Sequence, residues 1–194
     1  MLPKNIDRRH LLVAGLAAPW LSAAAQPAPD AQALLQAGGV VLALRHALAP
    51  GTQDPPNFRL GDCGTQRNLN EEGRAQARRL GAWLAERGLH PARVRSSPWC
   101  RCLETARLAF GEAEPWPALG SPRAGSDSAN AAALIQLRGA LSEAAAHPGR
   151  FEAWVTHMFV LSALLNVGTA AGEGLVLGLG ADGAPRLLGR LLVA

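Results

Sequence analysis

The segment 40–47, with the sequence VVLALRHA, begins with five consecutive apolar residues after the pair Gly38-Gly39. Such a run predicts a strand that is buried on both faces, as in the interior of a parallel sheet. Arg45 and His46 follow where the strand ends. Because ligands bind beyond the carboxyl ends of strands in open α/β sheets, a cation beside an imidazole here indicates an anion site with a nucleophile in it. The alternative is a strand that ends in two surface polar residues.

Helical and extended patterns alternate along the rest of the chain. Helices are predicted at 30–36, 70–88, 99–110, 129–147 and 159–167, and further strands at 93–97, 152–156, 174–179 and 185–193. Asp30 and Asn70 are the expected N-terminal caps of the first two helices. This alternation predicts an α/β fold.

The stretch 48–69 shows no periodicity and carries six prolines or glycines, so it predicts a long irregular loop. Loops of this length in compact domains are usually functional covers or disordered segments. Arg67, near its end, is either a candidate anion contact or a solvated loop residue. A second polar loop is expected at 121–128, where Asp127 or Ser128 would cap the helix that follows.

Composition fits one globular domain, because 48% of the 194 residues are hydrophobic and 18% are charged. The formal charge of +4 includes a net +2 within the first ten residues, so the remainder carries little excess charge. No basic run is interleaved with aromatic residues. These features exclude a nucleic-acid-binding protein.

Residues 1–25 have the pattern of an export signal. Arg8 and Arg9 precede the apolar run LLVAGLAAPWL, and small residues follow up to Ala25. Adjacent arginines before a modest apolar run are typical of twin-arginine signals, and the run is too short for a permanent membrane anchor. We therefore expect a mature domain at 26–194 that works in the periplasm.

An oxidising compartment favours disulfides, and the three cysteines lack the paired spacing of a zinc site. Cys63 is expected to pair with Cys100 or with Cys102, and of the two we favour Cys100. Such a bridge would hold the 48–69 loop down near residue 100.

Polar side chains follow three of the expected strands. Arg45 and His46 end the first. Arg101 stands in the first turn of a helix after the second, and His157 follows the third. First-turn backbone amides together with an arginine favour phosphate. The sequence therefore predicts one phosphoryl site at this edge of the sheet.

The chemistry of such a site follows from its residue types. Two arginines can neutralise the equatorial oxygens of a phosphoryl group during transfer. A neutral imidazole can attack phosphorus in line and form a phosphohistidine, which water then hydrolyses. A second histidine, if protonated, adds a further donor. The scheme requires no metal ion and no cofactor.

The order strand-RH, LNEEGRAQA, SSPWCRCLETA and VTH resembles the histidine phosphatase superfamily, and the resemblance covers nearly the whole mature chain. It implies a phosphoglycerate mutase-like fold, a three-layer α/β/α sandwich with a mainly parallel mixed sheet. By this resemblance, His46 is the phosphorylated nucleophile and His157 completes the phosphate pocket. Arg45 and Arg101 hold the phosphate.

The chain departs from the family pattern at three places. Ala47 replaces a glycine of most members, and Met158 stands where many have glycine or a polar residue. Many members carry a Glu or Asp after the third strand that protonates the leaving oxygen, whereas the matching region here is 119–121, with the sequence LGS. Asp127 and Glu173 are the candidate substitutes, and each also fits a plain surface charge. Without an acid, the enzyme would prefer aryl phosphates or phosphoramidates such as phosphohistidine.

Two functions are consistent with these residues. The first is an exported, metal-independent phosphatase that hydrolyses a small phosphorylated substrate through His46. The second is a phosphoryl-ligand binding protein of the same fold that has lost turnover, which the missing acid and Met158 suggest. A structural domain without an anion site would require three accidental strand-end motifs.

Overall fold

The computed structural model describes residues 30–122 and 127–193. The expected export signal at residues 1–25 lies outside the described residues. The described strands are β1 (Val40–Arg45), β2 (Arg93–Ser96), β3 (Glu114–Pro115), β4 (Phe151–Thr156), β5 (Gly174–Leu179) and β6 (Pro185–Leu191). The described helices are α1 (Ala31–Ala37), α2 (Glu71–Glu86), α3 (Cys100–Phe110), α4 (Asp127–Ala145) and α5 (Met158–Leu165). Each predicted helix and strand is present, with ends that differ by at most two residues.

The strands form one mixed sheet in the order β3-β2-β4-β1-β5-β6. The pairs β2–β3, β2–β4 and β1–β4 are parallel, and β5 pairs antiparallel with both β1 and β6. In the β1–β4 register, Arg45 lies opposite Thr156. The two strands therefore end at the same level, and the residues that follow them, His46 and His157, come to the same edge of the sheet.

Strand β1 is buried on both faces, as its apolar run predicts. Leu42 and Leu44 belong to a core with residues of α1, α2 and α3, whereas Val41 and Ala43 belong to a second core with residues of α4 and α5. Since side chains alternate across a strand, this division places helices on both faces of the sheet. The predicted three-layer α/β/α sandwich is confirmed.

Local signals at the helix ends are also as predicted. The Asp30 carboxylate accepts the N–H of Gln32, and the Asn70 side chain accepts the N–H of Gly73. Gly73 is required here, because a Cβ at this position would lie 2.1 Å from the carbonyl oxygen of Leu48. Helix α2 thus packs directly against the chain that leaves β1. None of the helices in residues 30–122 and 127–193 is long and apolar enough to cross a membrane.

Candidate active site

A cavity of about 400 Å³ lies beyond the carboxyl ends of β1 and β4. We call it the inner cavity. It brings together five residues named from the sequence, which are Arg45, His46, Arg67, Arg101 and His157. Segment 51–54 of the long loop, Ser121 and the start of α5 complete its wall.

His46 is a neutral imidazole with one nitrogen available for chemistry. Its ring is 3% exposed, and Nδ1 lies 2.8 Å from the carbonyl oxygen of Ala47. Because a carbonyl only accepts, Nδ1 carries the hydrogen and the lone pair is on Nε2. Burial, with a smaller contribution from the nearby arginines, lowers the pKa of His46 to about 3 despite the opposing effect of the Ala47 bond. The imidazole is therefore uncharged and nucleophilic at neutral pH.

His157 lies beside His46, with the ring centroids 5.5 Å apart. Its Nδ1 is 3.4 Å from the Arg101 guanidinium, which only donates, so the hydrogen is on Nε2 and points to the Ser97 hydroxyl at 2.8 Å. Burial and the facing Arg101 cation hold the pKa of His157 well below its ordinary value. The sequence analysis considered a protonated His157 as a further donor. In this structure His157 is neutral, and its Nδ1 positions the Arg101 guanidinium instead.

Three arginines, Arg45, Arg67 and Arg101, line the inner cavity. Arg45 donates through Nη1 to the carbonyl of Thr169, and Arg67 through Nη1 to the carbonyls of Ala49 and Gly51. These bonds fix the two guanidinium groups at the cavity wall. Because a guanidinium is a permanent cation that only donates hydrogen bonds, three of them around one cavity favour an anionic ligand.

Asp54 is the residue of this site that the sequence analysis missed. Its carboxylate lies 2.8 Å from Nη1 of Arg101 and also accepts the N–H of Arg67 at 3.0 Å. In the sequence it is one polar residue in an irregular loop, so no periodicity distinguishes it. The expected bridge from Cys63 was the signal that this loop reaches the arginine.

That bridge is present: Cys63 and Cys100 form a disulfide with Cα atoms 5.6 Å apart. The favoured pairing is confirmed, and Cys102 remains a buried free thiol. Gln66 strengthens the same attachment, because its side-chain oxygen accepts the N–H of Cys100 at 2.9 Å. The 48–69 loop is therefore fixed to the first turn of α3, next to Arg101.

The same contacts correct one expectation about phosphate binding. The N–H of Cys100 is used by Gln66, and the N–H of Cys102 donates to the carbonyl of Trp99. These two first-turn amides are not available to an anion. Helix α3 thus serves the cavity through the Arg101 side chain.

Neither candidate acid lines the inner cavity. The Glu173 carboxylate accepts the N–H of Ala170 at 2.7 Å and pairs with Arg190. Asp127 lies exposed in the first turn of α4. In the region where relatives have an acid, Leu119 is buried and Ser121 is the residue that reaches the cavity. The carboxylate of the inner cavity comes from Asp54 instead.

The two other departures from the family pattern are accommodated. Ala47 is fully buried, and its N–H donates to the Thr105 hydroxyl at 3.0 Å. Met158 lines the cavity with its sulfur 3.9 Å from Nη1 of Arg45. Within the described residues, no group of three or more His, Cys, Asp or Glu side chains could hold a metal ion.

A protein-family model matches part of the chain. The model of the histidine phosphatase superfamily (branch 1) matches residues 41–123, a range that begins within β1 and contains His46 and Arg101. This part of the chain is similar to the histidine phosphatase superfamily. A search of curated protein sequences found no match.

Solved structures show the histidine phosphatase fold over most of the chain. A protein encoded by an open reading frame of Mycobacterium tuberculosis has a TM-score of 0.58 and 20% identity, with 79% of this chain and 96% of that one covered. The α-ribazole phosphatase of Shigella flexneri has a TM-score of 0.57 and 17% identity, with 80% and 96% covered. The protein histidine phosphatase SixA in complex with tungstate has a TM-score of 0.53 and 17% identity, with 79% and 96% covered.

Proposed function

We propose that this protein is a member of the histidine phosphatase superfamily and hydrolyses phosphomonoesters or phosphoramidates through a covalent phosphohistidine on His46. One observation carries the proposal. A neutral His46, whose Nδ1 is held by the Ala47 carbonyl so that Nε2 carries the lone pair, shares the inner cavity with the guanidinium groups of three arginines. A nucleophile beside cationic donors suits the transfer of an anionic group.

The charges of the cavity fit a phosphoryl dianion. Three guanidinium groups face one carboxylate, that of Asp54, and both imidazoles are neutral. The resulting excess of two positive charges equals the charge of a phosphomonoester above its second ionisation near pH 6. SixA was crystallised with tungstate, a tetrahedral oxyanion of the same shape, which supports this ligand class.

The proposed reaction has two displacements. Nε2 of His46 attacks phosphorus, the bond to the leaving oxygen breaks, and its electron pair leaves with that oxygen. Arg45 and Arg101 hold the equatorial oxygens, and His157 keeps Arg101 in place. Water then attacks the phosphohistidine and returns the electron pair to Nε2. Charge on the oxygens is balanced by the arginines, so the scheme requires no metal ion.

We also propose that the protein works after export, in the periplasm. The pattern of residues 1–25 motivates this proposal, and the Cys63–Cys100 disulfide supports it because disulfides persist in oxidising compartments. Fractionation of cells that produce the full chain tests it. Recovery of the protein in the cytoplasm, with residues 1–25 still attached, would refute it.

The first experiment measures release of phosphate from p-nitrophenyl phosphate with chelator present, over about pH 5 to 8, where histidines ordinarily titrate. Wild type is compared with His46→Ala and with His90→Ala, whose side chain is exposed and outside the cavity. Chelator-resistant turnover is expected from wild type and His90→Ala only. Acid quench of wild type should also trap an acid-labile phosphoprotein. Turnover that persists in His46→Ala would refute the mechanism.

The second candidate is a protein that binds a phosphoryl ligand without turning it over. The observation that favours it is the lack of a carboxylate at 119–121, where only Ser121 lines the cavity. A folded wild type that binds inorganic phosphate, yet neither releases product nor forms a phosphohistidine, would support this candidate over the phosphatase.

A further inference from the structure

We propose that Asp54 is the proton donor to the leaving group, a role that no carboxylate fills at the place where relatives carry one. This inference rests on the proposed phosphatase activity. Asp54 is the carboxylate that lines the inner cavity, and its side chain is 19% exposed. It is thus partly shielded and reachable from solvent, as a group that exchanges protons must be.

The position of Asp54 matches the path of a leaving group. A second cavity of about 580 Å³, which we call the outer cavity, is lined by Phe58, Leu60 and Trp99 together with Asp54 and Ser121. Asp54 and Ser121 are the residues that the inner and outer cavities share. A phosphoryl group held by the arginines would place its leaving group toward the outer cavity. The scissile oxygen then lies at the junction, beside Asp54.

Substrate binding changes the partners of this carboxylate. Asp54 is paired with Nη1 of Arg101 at 2.8 Å. When the phosphoryl oxygens of the substrate take that guanidinium, the Asp54 side chain is released from its nearest cation and can turn toward the leaving oxygen. The other charged groups facing it are Arg67 and Arg45, while His46 and His157 are neutral.

The proton transfers balance over the two displacements. In the first, the Nε2–P bond forms, the P–O bond breaks and the Asp54 carboxyl gives its proton to the departing oxygen. In the second, the Asp54 carboxylate takes a proton from the water that attacks phosphorus, and the electron pair of the N–P bond returns to His46. The enzyme is restored with Asp54 protonated and phosphate bound.

Leaving-group dependence tests this assignment. We compare kcat/KM for p-nitrophenyl phosphate, whose phenolate departs without protonation, with that for glycerol phosphate, whose alkoxide requires a proton. In Asp54→Asn the amide oxygen can still accept the N–H of Arg67, so the loop attachment is preserved. We expect kcat/KM for glycerol phosphate to fall by about 100-fold or more and kcat/KM for p-nitrophenyl phosphate to stay close to wild type, because kcat/KM reports the steps through the first displacement and not the later attack of water. Asp54→Glu should recover part of the glycerol phosphate activity.

Asp62→Asn is the matched control, because Asp62 is an exposed carboxylate of the same loop that accepts the N–H of Gly64. It should leave both activities unchanged. An equal loss on both substrates in Asp54→Asn would show a structural role and overturn the assignment. An equal gain would show that Asp54 only competes with phosphate for Arg101, which also overturns it.

Failure of the proposed function has a different signature. If folded wild type turns over neither substrate, the phosphatase proposal fails and this inference fails with it. If wild type hydrolyses p-nitrophenyl phosphate and the response of Asp54→Asn does not depend on the leaving group, only the assignment of Asp54 fails.

Discussion

The Thr105 hydroxyl accepts the N–H of Ala47 at 3.0 Å and donates to the carbonyl of Arg101 at 2.7 Å. Thr105 is 1% exposed, in the middle of α3. One buried side chain therefore joins the turn that carries His46 to the helix turn that carries Arg101. The His46 imidazole and the Arg101 guanidinium are held in register by this contact.

Replacement of that hydroxyl should affect both stability and rate. Thr105→Val leaves the buried N–H of Ala47 unpaired, so we expect the free energy of unfolding to fall by about 1–3 kcal/mol. The value of kcat should also fall, because His46 is no longer aligned with Arg101. Denaturant unfolding and steady-state kinetics measure the two effects. Thr105→Ser keeps the hydroxyl and should remain close to wild type in kcat, and if it does not, the hydrogen bond is not the cause.

Arg101→Lys should weaken phosphate binding. The planar guanidinium contacts Asp54 and His157 from different nitrogens, and an ammonium cannot reproduce that geometry. Loss of a charge-assisted hydrogen bond costs about 1.5–3 kcal/mol, which is about a 10- to 100-fold rise in the inhibition constant of inorganic phosphate. Arg107→Lys, an exposed change in the last turn of the same helix, should have no effect. Equal inhibition constants for wild type and Arg101→Lys would contradict the assigned contact.

The two neutral histidines should make the fold sensitive to acid. Burial lowers the pKa of His46 from 6.5 to about 3, and that of His157 in the same direction. Below pH 6.5 the unfolded chain binds protons that the folded protein does not, so stability is complete above pH 6.5 and declines toward pH 3. Each histidine contributes a slope of up to about 1.4 kcal/mol per pH unit.

Unfolding free energies measured between pH 7 and 4 test this dependence. The unfolding free energy of His46→Asn should depend less steeply on pH than that of wild type, by up to about 1.4 kcal/mol per pH unit, which corresponds to one proton. His90→Asn, an exposed change outside the cavity, should have the wild-type slope. A His46→Asn slope as steep as that of wild type would show that His46 does not remain neutral in the fold.

Reduction of the disulfide should destabilise the protein. The Cys63–Cys100 bridge closes a loop with a sequence separation of 37 residues. The entropy that such a cross-link removes from the unfolded chain corresponds to about 3–4 kcal/mol. Unfolding in denaturant, with and without dithiothreitol, measures the loss. The double variant Cys63→Ser, Cys100→Ser should have the stability of reduced wild type, both with and without dithiothreitol. A wild type whose stability is unchanged after verified reduction would contradict the prediction.

The pattern of the chain predicted the fold because its signals are local. The apolar run of β1 required burial on both faces, and the observed cores divide Leu42 and Leu44 from Val41 and Ala43 accordingly. Asp30 and Asn70 cap their helices through bonds to residues two or three positions away. Such interactions depend on neighbours in the sequence, so they can be predicted without a fold.

The choice between Cys100 and Cys102 shows where local reasoning reached its limit. Each residue of an α-helix turns by about 100°, so two positions apart point to nearly opposite sides. Cys100 faces the 48–69 loop, whereas Cys102 is fully buried and lies 3.5 Å from Nε2 of His157. Which side of α3 faces the loop depends on how the helix is rotated about its axis when it packs against the sheet. That rotation cannot be predicted from the local sequence.

The sequence by itself determined the α/β order, the strand ends and the identity of the side chains that stand there. Arg45, His46, Arg101 and His157 could be named because parallel strands carry their following residues to one edge of a sheet. Only the tertiary structure decided the state of those side chains. Burial makes His46 and His157 neutral, the Ala47 carbonyl selects the tautomer of His46, and the disulfide brings Asp54 to Arg101. Burial and charge pairing depend on residues distant in the chain, and these are brought together only by the packed fold.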